Sequence, residues 1–158
     1  MKPLELFKII VSISLPVLFG SPFLFLGNES LQALLAGLRQ PLIAPPWWVF
    51  PLAWVYVYAG VGVSVWMIWQ LPKSPNRDKA LQLFVLQFAL NLVWNICFYY
   101  YQYFNVACMV LVILWVLIVV MEMRFYNLNR AAAFLCLPYL AWRTYTIPLS
   151  FGFLALNA

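Results

Sequence analysis

The sequence contains no histidine and very little charge: of 158 residues, nine are lysine or arginine, four are aspartate or glutamate, and charged residues total 8%. A soluble domain carries roughly 25% charged residues, so this chain has too few to coat a globule in water. Without histidine, haem-ligating histidines and histidine-based zinc sites are excluded, as is the commonest general base. Cys97, Cys108 and Cys136 are an odd number and each sits in an apolar run, which gives neither a disulfide framework nor metal-ligand spacing. Glu122 stands near the end of an apolar run with no second carboxylate beside it, so no conventional catalytic residue, no metal and no required cofactor are expected.

What the chain has instead is apolar length, with 66% hydrophobic residues. Apolar stretches run over about Leu6–Leu26, Trp47–Leu71, Ala80–Tyr101, Val106–Tyr126 and Ala131–Leu156. Each reaches the roughly 20 residues that a helix needs to cross the hydrocarbon core. The expected fold class is therefore all-α, an integral membrane bundle of five transmembrane helices forming one domain over residues 1–158. Its separators are the long Asn28–Pro46 loop, the polar Pro72–Lys79 stretch and tight turns near Gln102–Asn105 and Asn127–Arg130. The first stretch is longer than the apolar core of a signal peptide, and Gly20-Ser21-Pro22 is a poor cleavage site, so it is expected to remain as a helix.

Threading five spans in alternation places Lys2, Lys8, Lys73, Arg77, Lys79, Arg124 and Arg130 on the side of the amino terminus and only Arg39 opposite. By the positive-inside rule the amino terminus is expected in the cytoplasm and the carboxyl terminus across the membrane. The net charge of +5 is thus a topology signal, and no basic patch for nucleic acid is present.

Three groups of polar and aromatic residues fall at membrane depth. In the second span Trp47, Trp54, Tyr58, Gly62 and Trp66 form one helical stripe. Trp47, Trp48, Trp66 and Trp69 near its ends fit an interfacial aromatic belt, whereas Trp54 lies deeper and fits a pocket. In the third span Gln87, Asn91, Trp94, Asn95 and Phe98 share a face; amides in hydrocarbon need partners, so this face should point into the bundle, either as interhelical glue or as ligand contact. The fifth span gathers Pro138, Tyr139, Trp142, Arg143, Thr146 and Pro148, which predicts a bent or irregular helix, with Trp142 and Thr146 one turn apart. Arg143 is either functional or snorkels to an interface.

These residues carry a family resemblance. The run Pro41-Leu-Ile-Ala-Pro45-Pro46-Trp47-Trp48-Val49-Phe50-Pro51-Leu-Ala-Trp54, then Gln87-Phe-Ala-Leu-Asn91-Leu-Val-Trp94, then Pro138-Tyr139-Leu-Ala-Trp142 is similar to the tryptophan-rich sensory protein (TspO/MBR) family, that of the mitochondrial translocator protein or peripheral benzodiazepine receptor. The resemblance implies a five-helix bundle with an interior pocket beneath a lid loop, here residues 28–46. It implies a membrane receptor or regulator that binds tetrapyrroles (protoporphyrin, haem) and sterols, and contributes to their transport. Carried over, the pocket positions are Trp54, Asn91, Trp94, Trp115 and Trp142; the reading of the residues adds Tyr58, Gln87 and Thr146. Trp115 rests on resemblance alone.

The alternative that the family implies is a light- and oxygen-dependent porphyrin-degrading enzyme using Trp54 and Trp142. A membrane scaffold is a lower reading, since Gly60 and Ser64 form a small-xxx-small pair, and a homodimer is compatible with the sequence. The expected partners are a tetrapyrrole or sterol-like molecule and the lipid bilayer, in a bacterial membrane or, alternatively, the mitochondrial outer membrane. The chain departs from the family where Ile43 replaces a common aromatic residue, Ser150 an asparagine, and Arg143 a small or apolar residue. The vertebrate sterol-recognition segment is missing; Leu137-Pro-Tyr139-Leu-Ala-Trp-Arg143 matches the loose sterol pattern only formally.

Overall fold

A computed structural model of the protein describes residues 3–20 and 28–157. Among the described residues six α-helices follow in order: α1 (Pro3–Gly20), α2 (Asn28–Gly37), α3 (Val49–Trp69), α4 (Pro75–Asn95), α5 (Phe104–Leu128) and α6 (Arg130–Asn157). Five of them are long and pack as a ring, in which α1 contacts α3, α3 contacts α6, α6 contacts α5, α5 contacts α4, and α4 closes against α3 and α1.

Local sequence accounts for the helix boundaries. Before α4, the Ser74 hydroxyl accepts a hydrogen bond from Arg77 N at 3.2 Å and Pro75 occupies the first turn, a start signal that sets the helix five residues ahead of the expected Ala80. Its far end widens into a π-helical turn, Ile96–Tyr100, with Tyr101 N donating to Ile96 O at 3.1 Å. Gln102 then takes a positive φ of 55°, turning the chain into α5 within a few residues. Asn129 alone joins α5 to α6, and its side-chain oxygen accepts from Ala132 N at 3.2 Å. So short a link forces α5 and α6 to lie antiparallel.

Two features differ from the sequence expectation. Residues 28–46 are not all loop: the helix-forming run before Gly37 makes α2, and its Leu35 is buried. The proline-bearing α6 is one continuous helix of 28 residues through Pro138 and Pro148. Of the expected first span, residues 21–26 lie outside the described residues.

The bundle is apolar outside and partly polar within. Large side chains such as Leu52, Tyr56, Val85, Met109, Ile113 and Phe134 are exposed, while Ser64, Gln87, Asn91, Arg143, Thr146 and Ser150 are buried. That distribution suits lipid as the solvent. The helices Val49–Trp69, Pro75–Tyr100 and Phe104–Leu128 are long and apolar enough to cross a membrane, and the chain is an all-helical membrane protein.

Small residues set the closest helix contacts. At Gly62 an added Cβ would lie 2.5 Å from Ser12 O on α1, and at Gly60 it would lie 2.9 Å from Leu135 O on α6. Ser64 Oγ donates to Ala132 O at 2.7 Å, and Cys136 Sγ donates to Ser64 Oγ at 3.1 Å. The Gly60–Ser64 pair is thus used inside the bundle, against α6.

Candidate functional site

The α6 face that matters repeats as Tyr139, Arg143, Thr146, Ser150 and Phe153, at steps of four, three, four and three, and all five residues are buried. Opposite it, α4 presents Gln87, Asn91, Trp94 and Phe98, and α3 presents Phe50, Trp54 and Tyr58, also buried. Polar groups at this depth have no water to turn to, and they pair across helices. Asn91 Nδ2 donates to Tyr58 Oη at 2.6 Å, and Tyr139 Oη donates to Gln87 Oε1 at 2.7 Å. Arg143 Nη2 donates to Asn91 Oδ1 and, at 3.3 Å, to Tyr58 Oη.

Aromatic rings surround this network. The Trp54 ring stacks on Tyr58 with centroids 5.2 Å apart and an interplanar angle of 11°. It meets Trp142 edge to face at 6.0 Å and Trp94 at 6.3 Å. Trp94 in turn stacks on Phe98 at 5.3 Å. The Arg143 guanidinium lies over three of these rings, 4.4 Å from the Trp54 centroid, 4.9 Å from Trp94 and 5.5 Å from Tyr139. Cation–π attraction of about 0.5–2 kcal/mol per ring helps to hold the charge where water is excluded. Among the described residues the only ion pair is Arg77 with Asp78, so no carboxylate answers Arg143.

Next to the network is a small cavity walled by Phe50, Trp54, Trp94, Phe98, Tyr99 and Phe153, with Thr146, Leu149 and Ser150 from α6. Leu35 of α2 covers it. About 10 Å³ is open to the centre of a water molecule, one water's worth of space. The cap is tied to α6: Arg39 N donates to Asn157 Oδ1 at 2.8 Å, Asn157 Nδ2 donates to Arg39 O at 2.9 Å, and Tyr145 Oη donates to Ile43 O at 2.5 Å. Pro41 packs so closely on Gly152 that a Cβ there would come within 2.7 Å.

The residues singled out in the sequence are placed as follows. Trp54, Trp94 and Thr146 line the cavity, and Tyr58, Gln87 and Asn91 form the polar network behind it. Trp142 is half-buried; it touches Trp54 and Phe50 on one side and on the other lines an open groove between α3 and α6 with Val49, Ala53, Tyr56, Pro138 and Tyr145. Trp115 stands apart, its Nε1 donating at 2.9 Å to Thr144 Oγ1 on an exposed face of α6. Arg143, read in the sequence as either functional or snorkelling, sits at the centre of the site, and Ser150, noted there only as a departure, is in the cavity wall. The four-three spacing from Tyr139 to Phe153 is the signal that would have found them.

Comparisons of the sequence with known proteins show its family. The sequence profile described as the TspO/MBR family matches residues 12–156. The tryptophan-rich protein TspO of Archaeoglobus fulgidus is 28% identical over 98% of this chain and 100% of its own length. The tryptophan-rich sensory protein of Cereibacter sphaeroides is 32% identical over 76% of this chain and 74% of its own. The human translocator protein is 29% identical over 73% of this chain and 70% of its own. With a match that spans nearly all of its helices, the chain belongs to the TspO/MBR family.

Proposed function

We propose that this protein is a membrane receptor or regulator that binds tetrapyrroles in the α2-capped cavity, with Trp54 and Trp94 as its aromatic walls. The observation that carries the reading is the cavity itself: flat rings from three helices converge on one interior space, and flat aromatic ligands bind well against such faces. A tetrapyrrole needs a pocket of about 300–1,000 Å³, so binding requires the cap to lift and the rings to part. The hold on the cap is light enough for that, a few side-chain hydrogen bonds from Asn157 and Tyr145. Transport would follow if the cap releases its ligand to a partner. In this reading all five long helices span the bilayer as one domain, α1 and α6 included, with the amino terminus cytoplasmic.

Sterol binding through Leu137–Arg143 gains no support, because Tyr139 and Arg143 point inward at 1% and 0% exposure and cannot meet a sterol from the lipid side. The second reading, a light-dependent porphyrin-degrading enzyme, is favoured by one observation, the edge-to-face contact of Trp54 with Trp142 at 6.0 Å. A tetrapyrrole beside Trp54 would have two linked indoles for electron donation.

One titration separates the readings. Detergent-purified protein is titrated with protoporphyrin in the dark, following tryptophan fluorescence, and the porphyrin absorbance is then followed under light in air. Saturable quenching lost in Trp54→Ala/Trp142→Ala, with stable absorbance, is the result expected of a receptor. Tryptophan-dependent bleaching would favour the enzyme, and quenching that never saturates would remove the tetrapyrrole assignment.

A further inference from the structure

Arg143 is fully buried, at 0% exposure, in the middle of a membrane bundle. An arginine there is costly unless its charge and its five N–H groups are answered. Nη2 is answered by Asn91 and Tyr58. Nε and Nη1, which carry the other three N–H groups, meet no hydrogen-bond acceptor among the described residues. Glu122, the buried carboxylate of the bundle, takes no part, since its oxygens have no hydrogen-bond partner among the described residues. Among the described residues this cation therefore has spare donors and no anion beside it.

The position of that cation ties it to the cavity. Its guanidinium stands over the Trp54 and Trp94 rings, the same rings that wall the cavity. On the next turn of α6, Thr146 faces the cavity while its hydroxyl donates to Arg143 O at 2.9 Å. Any ligand that parts Trp54 from Trp94 comes against the guanidinium. A carboxylate oxygen brought against Nε or Nη1 gains a charge-assisted hydrogen bond, and in an interior without water that attraction is strong.

We propose that Arg143 makes this site selective for an anionic ligand, one whose flat apolar body carries a carboxylate that pairs with the guanidinium. The apolar body rests on the tetrapyrrole reading above; the charge does not. The guanidinium contributes a positive charge and free N–H donors that an apolar residue at this place would lack, and a ligand without a carboxylate leaves that charge unanswered.

The test compares protoporphyrin, which carries two carboxylates, with its dimethyl ester, which carries none, and uses oleate as a carboxylate on a non-aromatic body. Binding is read by tryptophan quenching in the dark on the wild-type protein, Arg143→Met and Arg143→Lys. The ratio of acid to ester affinity cancels loss of folded protein, and its change between variants cancels partitioning into detergent. The acid-to-ester preference is expected to fall by about tenfold or more in Arg143→Met and to keep its direction in Arg143→Lys. Should Arg143→Met fail to fold, Arg143→Gln, which retains an amide donor without the charge, serves in its place. An unchanged preference overturns the inference and leaves tetrapyrrole binding standing. If neither porphyrin binds but oleate binds in an Arg143-dependent way, the tetrapyrrole reading falls and the anionic class stands; if no carboxylate binds, both fall.

Discussion

Arg143 on α6 and Glu122 on α5 are both buried charged side chains, at 0% and 8% exposure, yet their surroundings have little in common. Around Arg143, three helices supply Tyr58, Asn91 and Tyr139, and a ring from each of the three lies against the guanidinium. Around Glu122 neither oxygen has a hydrogen-bond partner, and the nearby polar pairing, Cys136 to Ser64 to Ala132 O, runs past it. One end of the bundle is organised around a polar group; the other holds its helices together by close packing and carries a polar group beside the seam. A buried charge marks a site only when neighbouring helices have been arranged to receive it.

Three substitutions test that contrast, in falling order of effect. Asn91→Leu removes one of the two acceptors of a buried cation and should destabilise the protein by about 1.5–3 kcal/mol, read as a lowered melting temperature in detergent. A loss near 0.6 kcal/mol, the average for an interhelical hydrogen bond in a membrane, would show that the network does not organise this end. Ser64→Ala, at the other end, should cost about 0.6–1.7 kcal/mol, since it deletes two hydrogen bonds but leaves the packing of α3 on α6. A cost as large as that of Asn91→Leu would erase the distinction between the two ends. Glu122→Gln should be neutral or stabilise by about 1 kcal/mol, because nothing is bonded to the carboxylate. A marked loss of stability would mean that Glu122 has a partner in the membrane-embedded protein.

Most of the helical pattern was legible in the sequence because lipid imposes a simple rule of length and apolarity, and the runs containing Trp54, Asn91 and Leu114 obey it. The α4 face was legible for a related reason: Gln87 and Asn91 need partners in hydrocarbon, and only the interior provides them. Arg143 was less clear, since an arginine near a helix end can reach an interface, and only the packing of Trp54, Trp94 and Tyr139 around it decides its direction. The unbroken course of α6 through Pro138 and Pro148 was hidden too, because proline's effect depends on whether neighbouring turns accommodate the missing hydrogen bonds. The α2 helix was masked by the prolines that follow it, which made the whole of residues 28–46 read as loop.

The clasp between the cap and α6 has a consequence for how this protein can change over time. Asn157 and Tyr145 grip main-chain atoms of Arg39 and Ile43, groups that every residue type at those positions except proline would supply equally. Side chains along the cap are therefore free to vary without loosening the clasp, Ile43 among them. Under the proposed function, ligand preference can drift through the cap while these main-chain hydrogen bonds are inherited unchanged.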